Sequence, residues 1–257
     1  NFLLLAMSYP NINFLTYEDK LVVTLPRSQL TLETRSRQVI PYRSPRHPKE
    51  WANFKVVPCG GNKFAFITCH GEYMEVERSG GIIVAKQKEL IPHTEWTARE
   101  NSNGTMSFIS HYGKFLGVSA CRDCLVAASS SNGVKEQFRI LLTPNQTVSF
   151  RSTHGKYLVA EGDRKTVKAN RNEASLWEKW STIENGNRTA LKSYHGLFMS
   201  ADTRGSLVAD RASPDAWERF SIILKDGGMG LLSVHGTFVS ADPHGRVVSD
   251  RGEMNDW

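Results

Sequence analysis

Four cysteines, eight histidines and an excess of basic side chains are the groups in this chain best suited to chemistry. Cys59 and Cys69 lie on separate runs, whereas Cys121-Arg-Asp-Cys124 forms a C-x-x-C pair. Such a pair serves redox exchange when it precedes a helix in a βαβ unit, and zinc binding when two more ligands follow at a suitable spacing. Neither context is present, so the pair reads as a hairpin turn with two reduced thiols, and no metal or cofactor is expected. So few cysteines without a spaced framework suit a reducing cytoplasm. Three N-x-T triplets, at Asn103, Asn145 and Asn187, fall in predicted loops and point the other way, toward secretion. His70, His154, His195 and His235 occupy one recurring turn position, as a structural element of that turn would. Carboxylates are scattered, Ser and His never share a nucleophile-elbow context, and no Gly-rich phosphate loop opens a helix. The expected class is a non-enzymatic binding protein.

Charge suggests what is bound. Lys and Arg total 32 against 26 Asp and Glu, giving a net charge of +6 and a pI near 9.2. That balance favours an acidic partner, whether an actin filament, a nucleic acid or an anionic membrane. Arg35, Arg37, Arg43, Arg46 and Lys49 fill a long insertion, and Lys156, Arg164, Lys165, Lys168 and Arg171 crowd a later segment. Loops on a rigid scaffold are where binding usually resides, so these are the candidate contacts. Arg171, Arg211 and Arg251 are set apart, because they recur at one Asp/Asn-Arg position and fit a repeated internal salt bridge. Nucleic-acid binding needs aromatics interleaved with the cations, whereas here the aromatics fall at core-facing positions. The apolar opening Phe2-Leu-Leu-Leu-Ala-Met7 is too short to span a bilayer.

The elements that carry these side chains repeat. Gly71, Gly113, Gly155, Gly196 and Gly236 each precede a large apolar pair, at successive intervals of 42, 42, 41 and 40 residues. A degenerate sixth copy opens the chain, with Asp19 in the Gly slot. In each copy a short alternating run enters the turn and a second leaves it, which predicts a hairpin with one buried face. A third run follows, such as Leu207-Val-Ala-Asp-Arg211. A fourth carries aromatic anchors, as in Trp177-Glu-Lys-Trp180, Trp217-Glu-Arg-Phe220 and Trp51-Ala-Asn-Phe54. Six units of four short strands make an all-β chain. They build either a six-bladed β-propeller or two β-trefoils of three units each.

The strings His154-Gly-Lys-Tyr-Leu-Val-Ala-Glu161, Val167-Lys-Ala-Asn-Arg171 and Trp177-Glu-Lys-Trp180 closely resemble the fascin-like β-trefoils, the family of fascin and the hisactophilins. Tyr194 to Ala201, Val208 to Arg211 and Trp217 to Phe220 repeat the likeness, which is specific from about residue 106 onward. The resemblance implies two tandem β-trefoils, and Leu142-Thr-Pro-Asn-Gln-Thr147 is the natural seam. Trefoil 1 is placed at 8–143, with a divergent first repeat and a basic insertion, and trefoil 2 at 144–257. The last repeat stops at Trp257, so trefoil 2 is expected to lack its closing strand unless another segment supplies it. Both ends read as cut from a longer protein.

By the same resemblance the chain is expected to bind or bundle actin filaments in the cytoplasm, at the cytoskeleton, without a cofactor. The histidine-rich pattern of hisactophilins is absent, so membrane attachment by protonation does not carry over. The alternatives are a secreted trefoil that recognises carbohydrate or a cell surface, and a protein-binding scaffold in a larger assembly. Lectin-type trefoils end each unit in Gln-x-Trp, where this chain has Trp-Glu-x-aromatic.

Overall fold

The computed structural model describes residues 5–6, 11–16, 30–32, 39–41, 53–77, 81–119 and 125–254. The insertion cations Arg35, Arg37, Arg43, Arg46 and Lys49 lie outside the described residues, as do Cys121, Cys124, Trp51 and Trp257. The chain divides into two compact units. One comprises 11–140 with 224–227, and the other comprises 1–10, 141–223 and 228–257.

The turn glycines make the hairpins. Gly155, Gly196 and Gly236 donate their amides to the carbonyls of Ser152, Ser193 and Ser233 at 2.9, 2.9 and 3.2 Å. The flanking strands then meet at Arg151 with Tyr157, Lys192 with Phe198, and Leu232 with Phe238. One residue further on, each outgoing strand shifts register against the next, between Tyr157 and Leu158, Phe198 and Met199, and Phe238 and Val239. A bulge at that point adds twist and turns the strand across the end of the domain. The other unit repeats the device at Tyr73/Met74 and Phe115/Leu116.

Each of these strands pairs with the third run of its repeat, and the three resulting hairpins close into a ring. In the second unit the Ala209 amide donates to Lys165, that of Ser249 to Gly205, and that of Ala169 to Gly245, at 2.8, 2.9 and 2.9 Å. Thr166 bridges Val208, Ser206 bridges Val248, and Arg246 bridges Lys168. The cycle runs from the first repeat to the second, the second to the third, and the third back to the first. Three hairpins capping one end in this way are a β-trefoil. A propeller blade, whose strands pair in order within the blade, has no such ring, and the trefoil alternative holds. In the first unit Ala127 donates to Gly81 at 2.6 Å, and Val39–Pro41 lies against both Ile83–Gln87 and Leu125–Ser129.

The fourth run of a repeat forms a hairpin with the first run of the next, as in Trp180–Asn185 with Arg188–Ser193. Trp180, Phe220 and Phe238 are fully enclosed, and the Trp180 indole donates to the Leu158 carbonyl at 3.2 Å. Trp96 does the same with Met74 in the first unit. Burying each such ring contributes about 2–3 kcal/mol. The second trefoil takes a closing strand from the start of the chain. Leu5–Ala6 runs antiparallel to Phe150–Arg151, with Leu5 opposite Arg151. Because Ser181 stands opposite the equivalent Lys192, Leu5 occupies the place of a fourth-run residue.

Candidate cationic site on the trefoil cap

The tips of the three cap hairpins in the second trefoil are built by carboxylates that satisfy their own turns. Asp202 Oδ1 accepts the amides of Arg204 and Ser206, both at 2.8 Å, and Asp242 Oδ1 accepts those of His244 and Arg246, both at 2.9 Å. Asp163 Oδ1 accepts the amides of Lys165 and Thr166, while its other oxygen accepts the Thr166 hydroxyl. The Thr166 hydroxyl first, and then the two amides, hold the Asp163 carboxyl below the usual carboxylate range. Glu161 is engaged by Arg171 at 2.9 Å.

Cations stand at the same tips. Arg164, Lys165, Lys168, Arg204 and Arg246 are all exposed, and none of them makes an ion pair among the described residues. Lys168 and Arg246 are direct antiparallel bridge partners. Partners so placed have Cβ atoms about 5 Å apart, and like charges there repel. Together with Lys165 and His244 they line an open cavity of about 400 Å³ over the ring. This arrangement presents fixed positive charge and a few polar donors.

Of the sequence-predicted contacts, the cap brings together Arg164, Lys165 and Lys168. Lys156 belongs elsewhere. The hairpin pairs Tyr157 with Arg171, which puts Lys156 at its far end, where its ammonium donates to the Asn172 side-chain oxygen Oδ1. Sequence reasoning missed Arg204, His244 and Arg246. The available signal was alignment of the repeats, since Thr166, Ser206 and Arg246 fall at one position and Lys168, Val208 and Val248 at another.

The recurring polar residues do structural work. Glu178 and Glu218 are buried and accept the amides of Ser175 and Asp215 at 2.8 and 2.7 Å, with Arg171 and Arg211 within 3.7 and 3.9 Å. His195 and His235 reach back to the carbonyls of Ala160 and Ala201 at 3.1 and 3.0 Å, edge-on to Trp177 and Trp217. Cys59 is a free thiol. Burial, and then Glu95, push the Cys59 thiol up, away from a nucleophilic thiolate. Among the described residues, no group of three or more His, Cys, Asp or Glu could hold a metal ion, and no helix is long and apolar enough to cross a membrane.

A family model described as an FRG1-like domain matches residues 86–180, 141–214 and 181–255. The chain belongs to the FRG1-like domain family. The three matches overlap in a stagger, and together they take in the cap of the second trefoil of this FRG1-like chain. No curated protein matches it in sequence. Among solved structures, it is similar to a designed 3-fold symmetric protein, ThreeFoil, at 17% identity and a TM-score of 0.43, over 51% of this chain and 96% of that one. A mosquitocidal holotoxin is similar at 13% identity and a TM-score of 0.44, over 97% of this chain and 34% of the toxin. The trefoil assignment of the FRG1-like chain rests on its own ring of hairpins.

Proposed function

We propose that this FRG1-like chain is a non-enzymatic, cytoplasmic module that binds the acidic surface of actin filaments, in the manner that its fascin-like strings imply. The observation that carries the reading is the set of unpaired cations, Arg164, Lys165 and Lys168 among them, displayed together on the cap of the second trefoil. Family membership is compatible with it. So is the chemistry of the described residues, in which the recurring Glu, His and Arg are occupied by turns and carbonyls. Exposed charges of this kind steer encounter and are screened by salt.

Sedimentation with filamentous actin is the test. Co-pelleting at high speed that falls away as salt rises is the expected result, and absence from the pellet at low salt removes the reading. Pelleting at low speed would add bundling, which needs a second filament site on the particle. The secreted, carbohydrate-binding alternative draws support from the exposure of Asn103, Asn145 and Asn187. Peptide mapping of the protein from its natural cell separates the two, because occupied triplets fit only the secreted reading.

A further inference from the structure

We propose that the cavity over the second trefoil's cap is a binding site for a small polyphosphorylated ligand, held between Lys168 and Arg246. The threefold repetition of the domain supplies the argument. A side chain needed for the fold recurs in the repeats, as Arg171 and Arg211 do beside Glu178 and Glu218. The cavity cations do not recur. Where Lys168 stands the other two repeats have Val208 and Val248, and where Arg246 stands they have Thr166 and Ser206. The scaffold is satisfied at both positions by uncharged residues.

The substitutions also place like charges on direct cross-strand partners, an arrangement that costs stability until an anion lies between them. Among the described residues neither cation makes an ion pair with a carboxylate, since Asp163 and Asp242 accept turn amides and Glu161 pairs with Arg171. Lys165 and His244 add donors at the rim, and Thr166 and Asn170 complete a polar wall. A volume of about 400 Å³, open on one side, suits a compact ligand bearing several phosphates. Lys and Arg clustered without carboxylates are the side chains that bind such oxygens. The ligand chemistry is shared by free inositol polyphosphates and by phosphoinositide headgroups.

This inference goes beyond the filament reading and is tested without actin. Titration calorimetry of the full chain with pyrophosphate and with inositol hexakisphosphate is expected to show saturable binding at one site. Lys168→Val and Arg246→Ser install residues that the sister repeats already carry, so folding is preserved. Each is expected to weaken binding about tenfold or more, the loss typical of a charge-assisted hydrogen bond. Lys88→Gln, in the other unit, removes one charge and is expected to leave affinity unchanged. Flotation with phosphatidylcholine vesicles containing a phosphatidylinositol bisphosphate distinguishes the sources. Vesicle capture lost in the two cap variants assigns the headgroup, and binding of the free phosphates alone assigns a soluble ligand. No saturable binding to either, or equal weakening by Lys88→Gln and the cap variants, overturns the proposal.

Discussion

At the scale of single residues, recurrence separates structure from function. Glu178 is 2% exposed and accepts both the amide and the hydroxyl of Ser175, at 2.8 and 2.9 Å. Glu178→Ala is therefore expected to cost about 1–3 kcal/mol in urea unfolding by removing the charged acceptor of both bonds. Lys168→Val, at a position where the fold accepts Val, is expected to leave unfolding unchanged or shift it upward. Asp163 behaves differently, being fully exposed yet bound by its own turn. Its folded carboxyl titrates below the unfolded one, so the stability it lends is present above the ordinary aspartate range and is lost as pH falls through the folded value. An NMR titration should place its midpoint below that of an unstructured aspartate, and a midpoint at or above that value would contradict the turn geometry. Much of this was legible in the sequence, because the recurring Arg and His positions are a matter of counting. Arg246 was not, since it is 78 residues from Lys168 and no local window contains both.

At the scale of elements, the hairpins follow from the glycines and the ring follows from their tips. Gly245 has φ of +83°, and a Cβ there would lie 2.9 Å from the Ala169 carbonyl oxygen of the neighbouring hairpin. Gly205 has φ of +82° and faces Asp250 Cβ at 2.9 Å. Gly245→Ala combines backbone strain with a steric conflict at the ring and is expected to cost about 1–3 kcal/mol, read by chemical denaturation. An unchanged midpoint would mean that the ring does not hold the tips so closely. The period of about 40 residues revealed the hairpins in advance because turn chemistry is local. Which segment supplies the closing strand was not legible, because Leu5–Ala6 pairs with Phe150–Arg151 across more than half the chain, and two-residue strands carry no pattern. Removing residues 1–10 is expected to speed amide exchange on the Phe150–Arg151 edge while leaving the Trp180–Ser193 hairpin protected. Equal exchange along both would contradict that pairing.

At the scale of the molecule, two trefoils supply scaffolds, and the proposed recognition surface lies in what one of them fails to repeat. Net charge predicted an acidic partner but could not say where, because the charge is spread along the chain and converges only when three hairpins meet. Lys156 shows the limit of proximity in sequence, being near the cluster in the chain and at the opposite end of the hairpin in the fold. We propose that these converged cations bind an acidic filament. The most direct test compares the wild-type chain with Lys165→Glu/Lys168→Glu in high-speed sedimentation against increasing filamentous actin at fixed low salt. Saturable co-pelleting of the wild type and a loss of at least about tenfold in affinity for the double variant are expected. Equal pelleting of the two would place any filament contact away from the cap and contradict binding through these cations.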